Sequence, residues 1–354
     1  MTKWPFVIAV LASLYGAFSY WAGQPVVFGG AVLVTGRKRK STNPLSFRFT
    51  QREGASSGIG RHAAFFLARH NLTVFATCRK EEDKASLLQE AKAAGLEHRL
   101  VPITLHVDSE QSCRDALRRI REAKLPLVAL VNNAGVGGGS PAELEDEQRL
   151  RDVFETNFFG AMRLAKLALP LLRESKGRIV SISSLKGSVA TPGSSSYSAS
   201  KAALDMALRV MALEVYHQGI KVVTVQPGYI KSEIRTKVDP NYLKKALELE
   251  NVHHYPGFLR YVEDLSLQPT RGVDPIVTSK SILHGIVARF PGPLLRAGGW
   301  EVVSATWLPW LIPDWFEDDI SAALFQYDRD GKQEMEKNEG WFAKFKESIG
   351  ILRS

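Results

Sequence analysis

Short β-branched segments that alternate with amphipathic segments are the feature that most constrains the fold of this chain. The strand-like segments are residues 26–36, 72–78, 98–107, 127–135, 177–184 and 220–228. Helical periodicity fills several of the gaps, over residues 58–70, 84–95, 150–175 and 195–219. Strands that alternate with helices pair in parallel and carry helices on both faces of the sheet. We therefore predict an α/β fold, a doubly wound parallel sheet of the Rossmann type in a single domain.

The two ends of the chain differ from this pattern. No charged residue occurs between Lys3 and Arg37, and residues 4–23 match the ~20 residues that a helix needs to span a bilayer. We predict a membrane anchor over residues 1–23, with a cleaved signal or transit peptide and a soluble apolar helix as alternatives. The main domain then covers residues 24–320, with a helical, Trp-rich extension after about residue 235, and a charged tail follows over residues 321–354.

Charge and cysteine content exclude several classes of protein. The net charge is +9, but six basic residues and one acid lie within residues 37–54. A basic excess concentrated in one short segment is typical of a solvated loop, so we predict no nucleic-acid partner. The two cysteines, Cys78 and Cys113, are too few for a disulfide framework and lack the spacing of a metal site. We expect no bound metal.

Polar and glycine residues recur where the predicted strands end. A glycine-rich turn, GASSGIG, spans residues 54–60, and Asn-Asn-Ala-Gly spans residues 132–135. Further along are Asn157, Ser184, the pair Tyr197 and Lys201, and Pro227-Gly228. Open α/β sheets bind ligands beyond the carboxyl ends of their strands, and a glycine turn lets backbone N–H groups approach a pyrophosphate. These residues therefore indicate a dinucleotide site.

The order and spacing of these motifs over residues 26–232 resemble those of the short-chain dehydrogenase/reductase family. Cys78 and the segment over residues 294–316 are similar to the retinol dehydrogenase-like and hydroxysteroid dehydrogenase-like branch. The resemblance implies an oxidoreductase. For this branch we expect a membrane location, in the endoplasmic reticulum. Basic residues just after the predicted anchor place the catalytic domain on the cytosolic side.

Four residues form the predicted catalytic set. A lysine one helical turn from a tyrosine lies on the same face and favours its phenolate, so Tyr197 is the predicted general acid/base and Lys201 its activator. The Ser184 hydroxyl is placed to polarise the substrate oxygen. The resemblance implies that Lys201 also bonds the nicotinamide ribose, and that Asn157 holds a water linking Lys201 to solvent.

The end of the second strand decides the cofactor. An acid there favours NAD(H), whereas an arginine accommodates a 2′-phosphate. Arg79 follows that strand and the first acid is Glu81, so we predict NADP(H), with NAD(H) as the alternative. Asp108 is the candidate for an acid that the family has two residues earlier. The residues predicted to contact the cofactor are Thr35, Gly36, Gly54, Ser56, Ser57, Gly58, Ile59, Gly60, Arg79, Asp108, Asn133, Ala134, Gly135, Tyr197, Lys201, Pro227, Gly228, Ile230 and Ser232.

An insertion interrupts the glycine turn. The family runs Val-Thr-Gly directly into Ala-Ser-Ser-Gly-Ile-Gly, but here residues 37–54 separate Gly36 from Ala55. Removing them restores the motif without a gap, which indicates an unspliced intron or a gene-model error; a genuine loop or isoform is the alternative. Closing such a loop costs only ~2.6 kcal/mol, so we expect the fold to survive and cofactor binding to weaken.

These observations predict hydride transfer between NADP(H) and a lipophilic alcohol or ketone, such as a retinoid, a steroid or a fatty-chain carbonyl. One alternative is a reductase of small soluble hydroxy or keto substrates. The other is a catalytically silent binding protein that the insertion has disabled. We also expect a membrane contact through the N-terminal helix, and a homodimer is possible.

Overall fold

A computed structural model describes residues 30–35, 58–137, 140–191, 193–231, 251–255, 258, 272–299 and 302. Its strands are β1 (Ala31–Val34), β2 (Thr73–Cys78), β3 (Leu100–Thr104), β4 (Leu127–Asn132), β5 (Arg178–Ile182), β6 (Lys221–Pro227) and β7 (Leu294–Ala297). Its α-helices are α1 (Gly58–Arg69), α2 (Glu81–Ala93), α3 (Glu110–Glu122), α4 (Glu147–Phe154), α5 (Ala161–Ser175), α6 (Ser195–Glu214) and α7 (Ile276–Val287). A π-helical segment, Glu155–Gly160, joins α4 to α5.

The seven strands form one parallel sheet in the order β3-β2-β1-β4-β5-β6-β7. The chain moves outward from β1 to β3, then returns to the other side of β1 with β4. The strand order therefore reverses between β1 and β4, and this reversal opens a crevice at the carboxyl ends of the two strands. The predicted α/β, parallel, Rossmann-type fold is confirmed.

Two apolar layers hold the helices against the sheet. Ala31 and Leu33 point to one face, where they pack with α3, α5 and α6. Val32 and Val34 point to the other face, where they pack with α1, α2 and α7. All four side chains of β1 are fully buried, as expected of a central parallel strand covered by helices on both sides.

The segments on either side of the insertion both belong to this core. β1 pairs with β2 and β4 before the insertion, and α1 begins at Gly58 after it. Gly58 has a φ of 60°, in the left-handed region that favours glycine. The insertion itself, residues 37–54, lies outside the described residues.

The structure corrects three element predictions. The sequence patterns were not assigned to any helix between β3 and β4, yet α3 lies there. The long helix predicted over residues 150–175 contains the π-helical segment. The region after residue 235, predicted as helical, contains helix α7 and also supplies the seventh strand, β7.

Both predicted terminal segments fall outside the described ranges. Within those ranges, no helix combines the length and the apolar character needed to cross a membrane. The anchor predicted over residues 1–23, the tryptophans from Trp300 onward and the tail over residues 321–354 are not among them, so the anchor stays a prediction.

Candidate active site

Thr35 joins the carboxyl ends of β1 and β4. Its hydroxyl accepts hydrogen bonds from the backbone N–H groups of Asn133 (2.9 Å) and Ala134 (3.0 Å). It also lies 3.3 Å from the carbonyl oxygen of Val131, to which it donates. The Asn133 carboxamide in turn donates to the carbonyl oxygen of Thr35 at 3.2 Å. Thr35 therefore fixes the loop after β4, and its predicted contact with the cofactor stays a prediction.

Asn157 connects the same loop to α6, which carries Tyr197 and Lys201 and which we call the catalytic helix. It lies in the π-helical segment Glu155–Gly160 and is fully buried. Its Oδ1 accepts from the N–H of Val136 at 2.8 Å, and its Nδ2 donates to the carbonyl of Val136 at 3.0 Å. Nδ2 also donates to Ser200 Oγ at 3.1 Å, on α6. The protein thus uses both ends of this carboxamide, and the water link to Lys201 stays a prediction.

Tyr197 and Lys201 lie one turn apart near the start of α6, as predicted from their spacing. Lys201 is only 4% exposed, and its Nζ donates to the carbonyl oxygen of Ile182 at 2.8 Å. The same ammonium lies 5.8 Å from the centre of the half-buried Tyr197 ring. A cation held this close favours the phenolate over the phenol.

The lysine and the asparagine meet at Gly135. A Cβ atom added to Gly135 would lie 3.5 Å from Asn157 Oδ1 and 3.6 Å from Lys201 Nζ. The loop after β4 and the catalytic helix therefore approach each other closely at a residue without a side chain. Three of the predicted site residues are brought together here.

Ser184 follows β5 and begins a short 3₁₀ turn, Leu185–Gly187. Its Oγ accepts from the N–H of Lys186 at 3.2 Å, so the side chain caps this turn. The preceding residue, Ser183, donates to the carbonyl of Lys201 at 3.4 Å. Ser184 is half-buried, and among the described residues its hydroxyl accepts this bond and donates none.

A buried polar network behind the catalytic helix was not predicted. Gln226, which is 1% exposed, donates from Nε2 to Asp205 Oδ2 and to Ser188 Oγ, both at 2.7 Å. Arg296 on β7 donates to Gln226 Oε1 at 3.3 Å. Burial raises the pKa of Asp205 above its usual range. The network joins the turn after Ser184 to β6. Its sequence signal was an acid one helical turn beyond Lys201.

The end of β6 carries the predicted Pro227-Gly228 pair. The N–H of Gly228 donates to the carbonyl of Ala297 at 2.8 Å, which connects this pair to β7. Two residues later, Ile230 forms an isolated bridge with Val273. Ser232 lies outside the described residues.

The glycine turn is described only in part. Gly58, Ile59 and Gly60 form the first turn of α1, and Ile59 and Gly60 are buried. Gly36, Gly54, Ser56 and Ser57 fall outside the described residues. Of the predicted pyrophosphate-binding turn, the structure therefore describes only the residues that begin α1.

The residues predicted to select the cofactor lie beside β1. Arg79 follows β2 directly, and Asp108 follows β3, so both lie at the edge of the sheet that carries Thr35. The first acid after β2, Glu81, accepts hydrogen bonds from Lys84 Nζ and Thr104 Oγ1, both at 3.1 Å. These bonds lower the pKa of Glu81. That carboxylate is therefore turned toward its own helix and β3.

The structure offers no grouped metal ligands in the part of the chain that it describes, where no three His, Cys or acidic side chains converge. Burial raises the pKa of Cys78 to about 12 and that of Cys113 to about 11. Both thiols are therefore protonated, and neither is a thiolate ligand or nucleophile.

Two features of the crevice fit a nicotinamide dinucleotide. Asn133 Oδ1 is buried and accepts no hydrogen bond from any described residue. Gly135, without a side chain, leaves room beside Lys201 and Asn157. A cofactor with ribose hydroxyls and a carboxamide carries donors for such an acceptor and needs close backbone approach.

The structure combines a parallel sheet that carries polar residues at its carboxyl edge with a tyrosine and a lysine one helical turn apart. This combination is typical of a class of dinucleotide-binding enzymes. Comparison with known proteins identifies the family within that class. The family model for short chain dehydrogenases matches residues 53–243. The chain is 30% identical over 263 residues to 3-ketodihydrosphingosine reductase of Bacteroides thetaiotaomicron, covering 72% of this chain and 91% of that protein. The chain belongs to the short-chain dehydrogenase family and is an oxidoreductase of that type.

Further relatives agree with this assignment. Mouse estradiol 17-beta-dehydrogenase 2 is 33% identical over 239 residues, 67% of this chain and 59% of that enzyme. A crystal structure of a short-chain dehydrogenase from Streptomyces avermitilis aligns with a TM-score of 0.64 at 27% identity, over 85% of this chain and 97% of that one. An actinorhodin polyketide ketoreductase variant with NADPH aligns with a TM-score of 0.58 at 27% identity, over 77% of this chain and 97% of that one. The family uses a nicotinamide cofactor.

Proposed function

We propose that this protein transfers a hydride between NADP(H) and a lipophilic alcohol or ketone, such as a retinoid, a steroid or a fatty-chain carbonyl. The observation that carries the proposal is the placement of Lys201. Its ammonium is buried, held by the carbonyl of Ile182 at 2.8 Å, and lies 5.8 Å from the Tyr197 ring. A fixed cation beside a half-buried phenol is suited to proton transfer near neutral pH.

Each catalytic side chain has a separate role in this proposal. Tyr197 gives its hydroxyl proton to the substrate oxygen in reduction and takes it back in oxidation. Lys201 stabilises the phenolate that forms. Ser184 donates a hydrogen bond to the same substrate oxygen. Asn157 holds the loop after β4 against α6. A bound nicotinamide supplies or accepts the hydride.

The preference for NADP(H) rests on Arg79. It follows β2 at the cofactor edge of the sheet, where a guanidinium pairs with a 2′-phosphate. Glu81, the nearest following acid, is engaged by Lys84 and Thr104. A similar ketoreductase structure contains NADPH. NAD(H) remains the alternative cofactor.

The substrate class rests on the relatives. One similar protein is named as a reductase of 3-ketodihydrosphingosine and another as an estradiol dehydrogenase, and both names denote lipophilic substrates. The alternatives are a small soluble hydroxy or keto substrate, and a binding protein that the insertion over residues 37–54 has silenced. A substrate panel that spans long-chain ketones, steroids, retinoids and small keto acids, each with NADPH and NADH, distinguishes these three outcomes.

The test of the catalytic assignment is Tyr197→Phe. We expect loss of turnover with nearly unchanged NADPH binding, because only the proton donor is removed. Tyr216→Phe is the matched control, since Tyr216 lies just beyond the same helix and is 82% exposed. Turnover by Tyr197→Phe at the rate of the control would refute the assignment. NADPH binding without turnover in the wild type would support the silent binding protein.

We also propose that residues 1–23 anchor the protein in the endoplasmic reticulum membrane, with the catalytic domain in the cytosol. Their support is the uncharged run in the sequence, which has the length of a bilayer-spanning helix. Carbonate extraction of full-length protein and of a form lacking residues 1–23 tests this. Full-length protein released by carbonate would contradict an integral anchor.

A homodimer through α6 is proposed as the oligomeric state. Met206, Val210 and Leu213 lie on one side of that helix and are 58%, 47% and 80% exposed. Phe159, in the neighbouring π-helical segment, is 50% exposed. Contiguous exposed apolar side chains favour association. Sedimentation of wild type and Leu213→Glu tests it, and a monomeric wild type would contradict it.

A further inference from the structure

Two glutamates on one short turn connect distant parts of the molecule. Glu143 lies within the 3₁₀ turn Ala142–Leu144, and Glu145 follows it, in the segment between β4 and α4. Neither residue belongs to the site described above. We call these two residues the glutamate bracket.

Glu145 binds the start of the catalytic helix. Its Oε2 accepts from Ser195 Oγ at 2.8 Å and from the backbone N–H of Ser196 at 3.2 Å. Its Oε1 accepts from Ser196 Oγ. Ser196 is 1% exposed, and Tyr197 is the next residue. One carboxylate therefore holds the two residues that precede the predicted acid/base.

The helix needs this contact because its own cap is engaged elsewhere. The first backbone N–H groups of a helix have no partner within the helix, and an N-cap side chain usually satisfies one of them. Ser194 is the N-cap residue of α6, but its hydroxyl donates to Thr191 O at 2.7 Å and contacts Ser198 Oγ at 3.1 Å. Glu145 supplies the missing acceptor from another segment, and its negative charge suits a helix N-terminus.

Glu143 binds a different part of the chain, the segment after residue 250. Its Oε1 accepts from Asn251 Nδ2 at 3.2 Å, and its Oε2 accepts from the Tyr255 hydroxyl at 2.5 Å. The hydrogen bond to Glu143 raises the pKa of Tyr255 above its ordinary value, and the protonated phenol is the donor at neutral pH. The turn that carries Glu145 is thereby held to the segment that contains Asn251–Tyr255.

We propose that Glu145 is a positioning residue for Tyr197, and that Glu143 and Tyr255 hold Glu145 in place. The proposal rests on the proposed function, because it assigns a role to Glu145 in setting the acid/base. The carboxylate acts on Tyr197 in two ways. It fixes the first turn of α6, and it places a negative charge against the backbone N–H of Ser196, one residue before Tyr197, where that charge opposes formation of the phenolate.

Glu145→Gln is the first test. The amide is uncharged and offers one acceptor where the carboxylate offers two, so it removes charge and weakens the cap. We expect kcat to fall roughly fivefold, because a first turn that is held less firmly presents the Tyr197 hydroxyl in its productive position less often. We expect the apparent pKa of Tyr197 in the pH profile of kcat to fall by roughly half a unit, because a nearby negative charge is lost.

The matched control is Glu147→Gln, the same change two residues away. Glu147 lies on α4 and pairs with Arg151 on the exposed face of that helix. It should leave both kcat and the pH profile at the wild-type values. A Glu145→Gln enzyme with a lower melting temperature but the pH profile of the control would overturn the proposal, since a purely structural residue does not change that profile.

Amide hydrogen exchange gives a readout that does not depend on turnover. We expect faster exchange at residues 195–198 in Glu145→Gln, and a smaller increase of the same kind in Tyr255→Phe, which lacks only the hydroxyl. Unchanged exchange in Tyr255→Phe would contradict the part assigned to Glu143. A wild type without turnover would contradict the proposed function, whereas unchanged exchange in Glu145→Gln would contradict the bracket.

Discussion

The Thr35 hydroxyl should contribute more to stability than its size suggests. Thr35 is 1% exposed, and it accepts from two backbone N–H groups, those of Asn133 and Ala134. Thr35→Val keeps the shape of the side chain and removes the acceptor. Val131 O, the acceptor of the hydroxyl proton, keeps its bond from the Thr35 backbone N–H at 3.0 Å. The variant therefore leaves the N–H groups of Asn133 and Ala134 without their acceptor, while the carbonyl of Val131 keeps a donor.

The cost follows from those two donors. Each buried N–H left without a partner costs about 1–3 kcal/mol, and Asn133 is only 2% exposed, so water compensates little. We expect Thr35→Val to lose ~2–4 kcal/mol of unfolding free energy. For a domain of this size that corresponds to a decrease in melting temperature of roughly 3–6 °C.

Thermal and urea denaturation, followed by far-ultraviolet circular dichroism, measure the effect. Thr35→Ser is the control, because it keeps the hydroxyl and loses one buried methyl group, worth about 1 kcal/mol. Val and Ser variants of equal stability would refute the reasoning, since the hydroxyl would then contribute nothing beyond packing.

Three further predictions concern the cofactor, the insertion and pH. Arg79→Asp should shift preference from NADPH toward NADH in initial-rate assays, because it replaces a phosphate partner with a group that repels phosphate; a wild type that prefers NADH contradicts this. Deleting residues 37–54 should tighten NADPH binding in fluorescence titrations, since fixed N–H donors replace a basic loop, and equal affinities that do not change with salt would show the loop to be harmless. Burial lowers the pKa of His62 in the folded state, so as the pH drops below the ordinary value of ~6.5 the unfolded state binds more protons than the folded state. Stability should therefore decrease as the pH decreases, and His62→Gln should make that decrease smaller in urea titrations between pH 5 and 8.

The sequence predicted the elements whose apolar runs are long. β4, β5 and β6 were predicted within two or three residues, because their buried, β-branched runs end at recognisable polar or glycine residues. α3 was missed although Cys113, Ala116, Leu117 and Ile120 are buried at helical spacing. Its seven charged residues outnumber its four apolar residues, and the apolar stripe was overlooked. β7 was missed because four residues of strand within a helical region give no periodic signal.

The parts of the candidate site that follow from the spacing of residues along one helix were predictable from the sequence. The parts that depend on contacts between distant segments were not. Tyr197 and Lys201 share a helical face by their separation alone. Nothing in the sequence places Glu145 against Ser196, because that contact depends on how the turn after β4 meets the start of α6. The engagement of the Thr35 hydroxyl was missed for the same reason, since its partners are about a hundred residues away.

The position of β7 at the edge of the sheet has a consequence for synthesis. Leu294–Ala297 pairs with Thr224–Pro227, so β6 has no partner on that side until residue 297 has left the ribosome. During that interval a strand rich in valine presents unpaired N–H and C=O groups, a template for pairing with another nascent chain. A fragment that ends before residue 294 would carry Ser184, Tyr197 and Lys201 and still expose this edge. Such a fragment should aggregate when it is expressed.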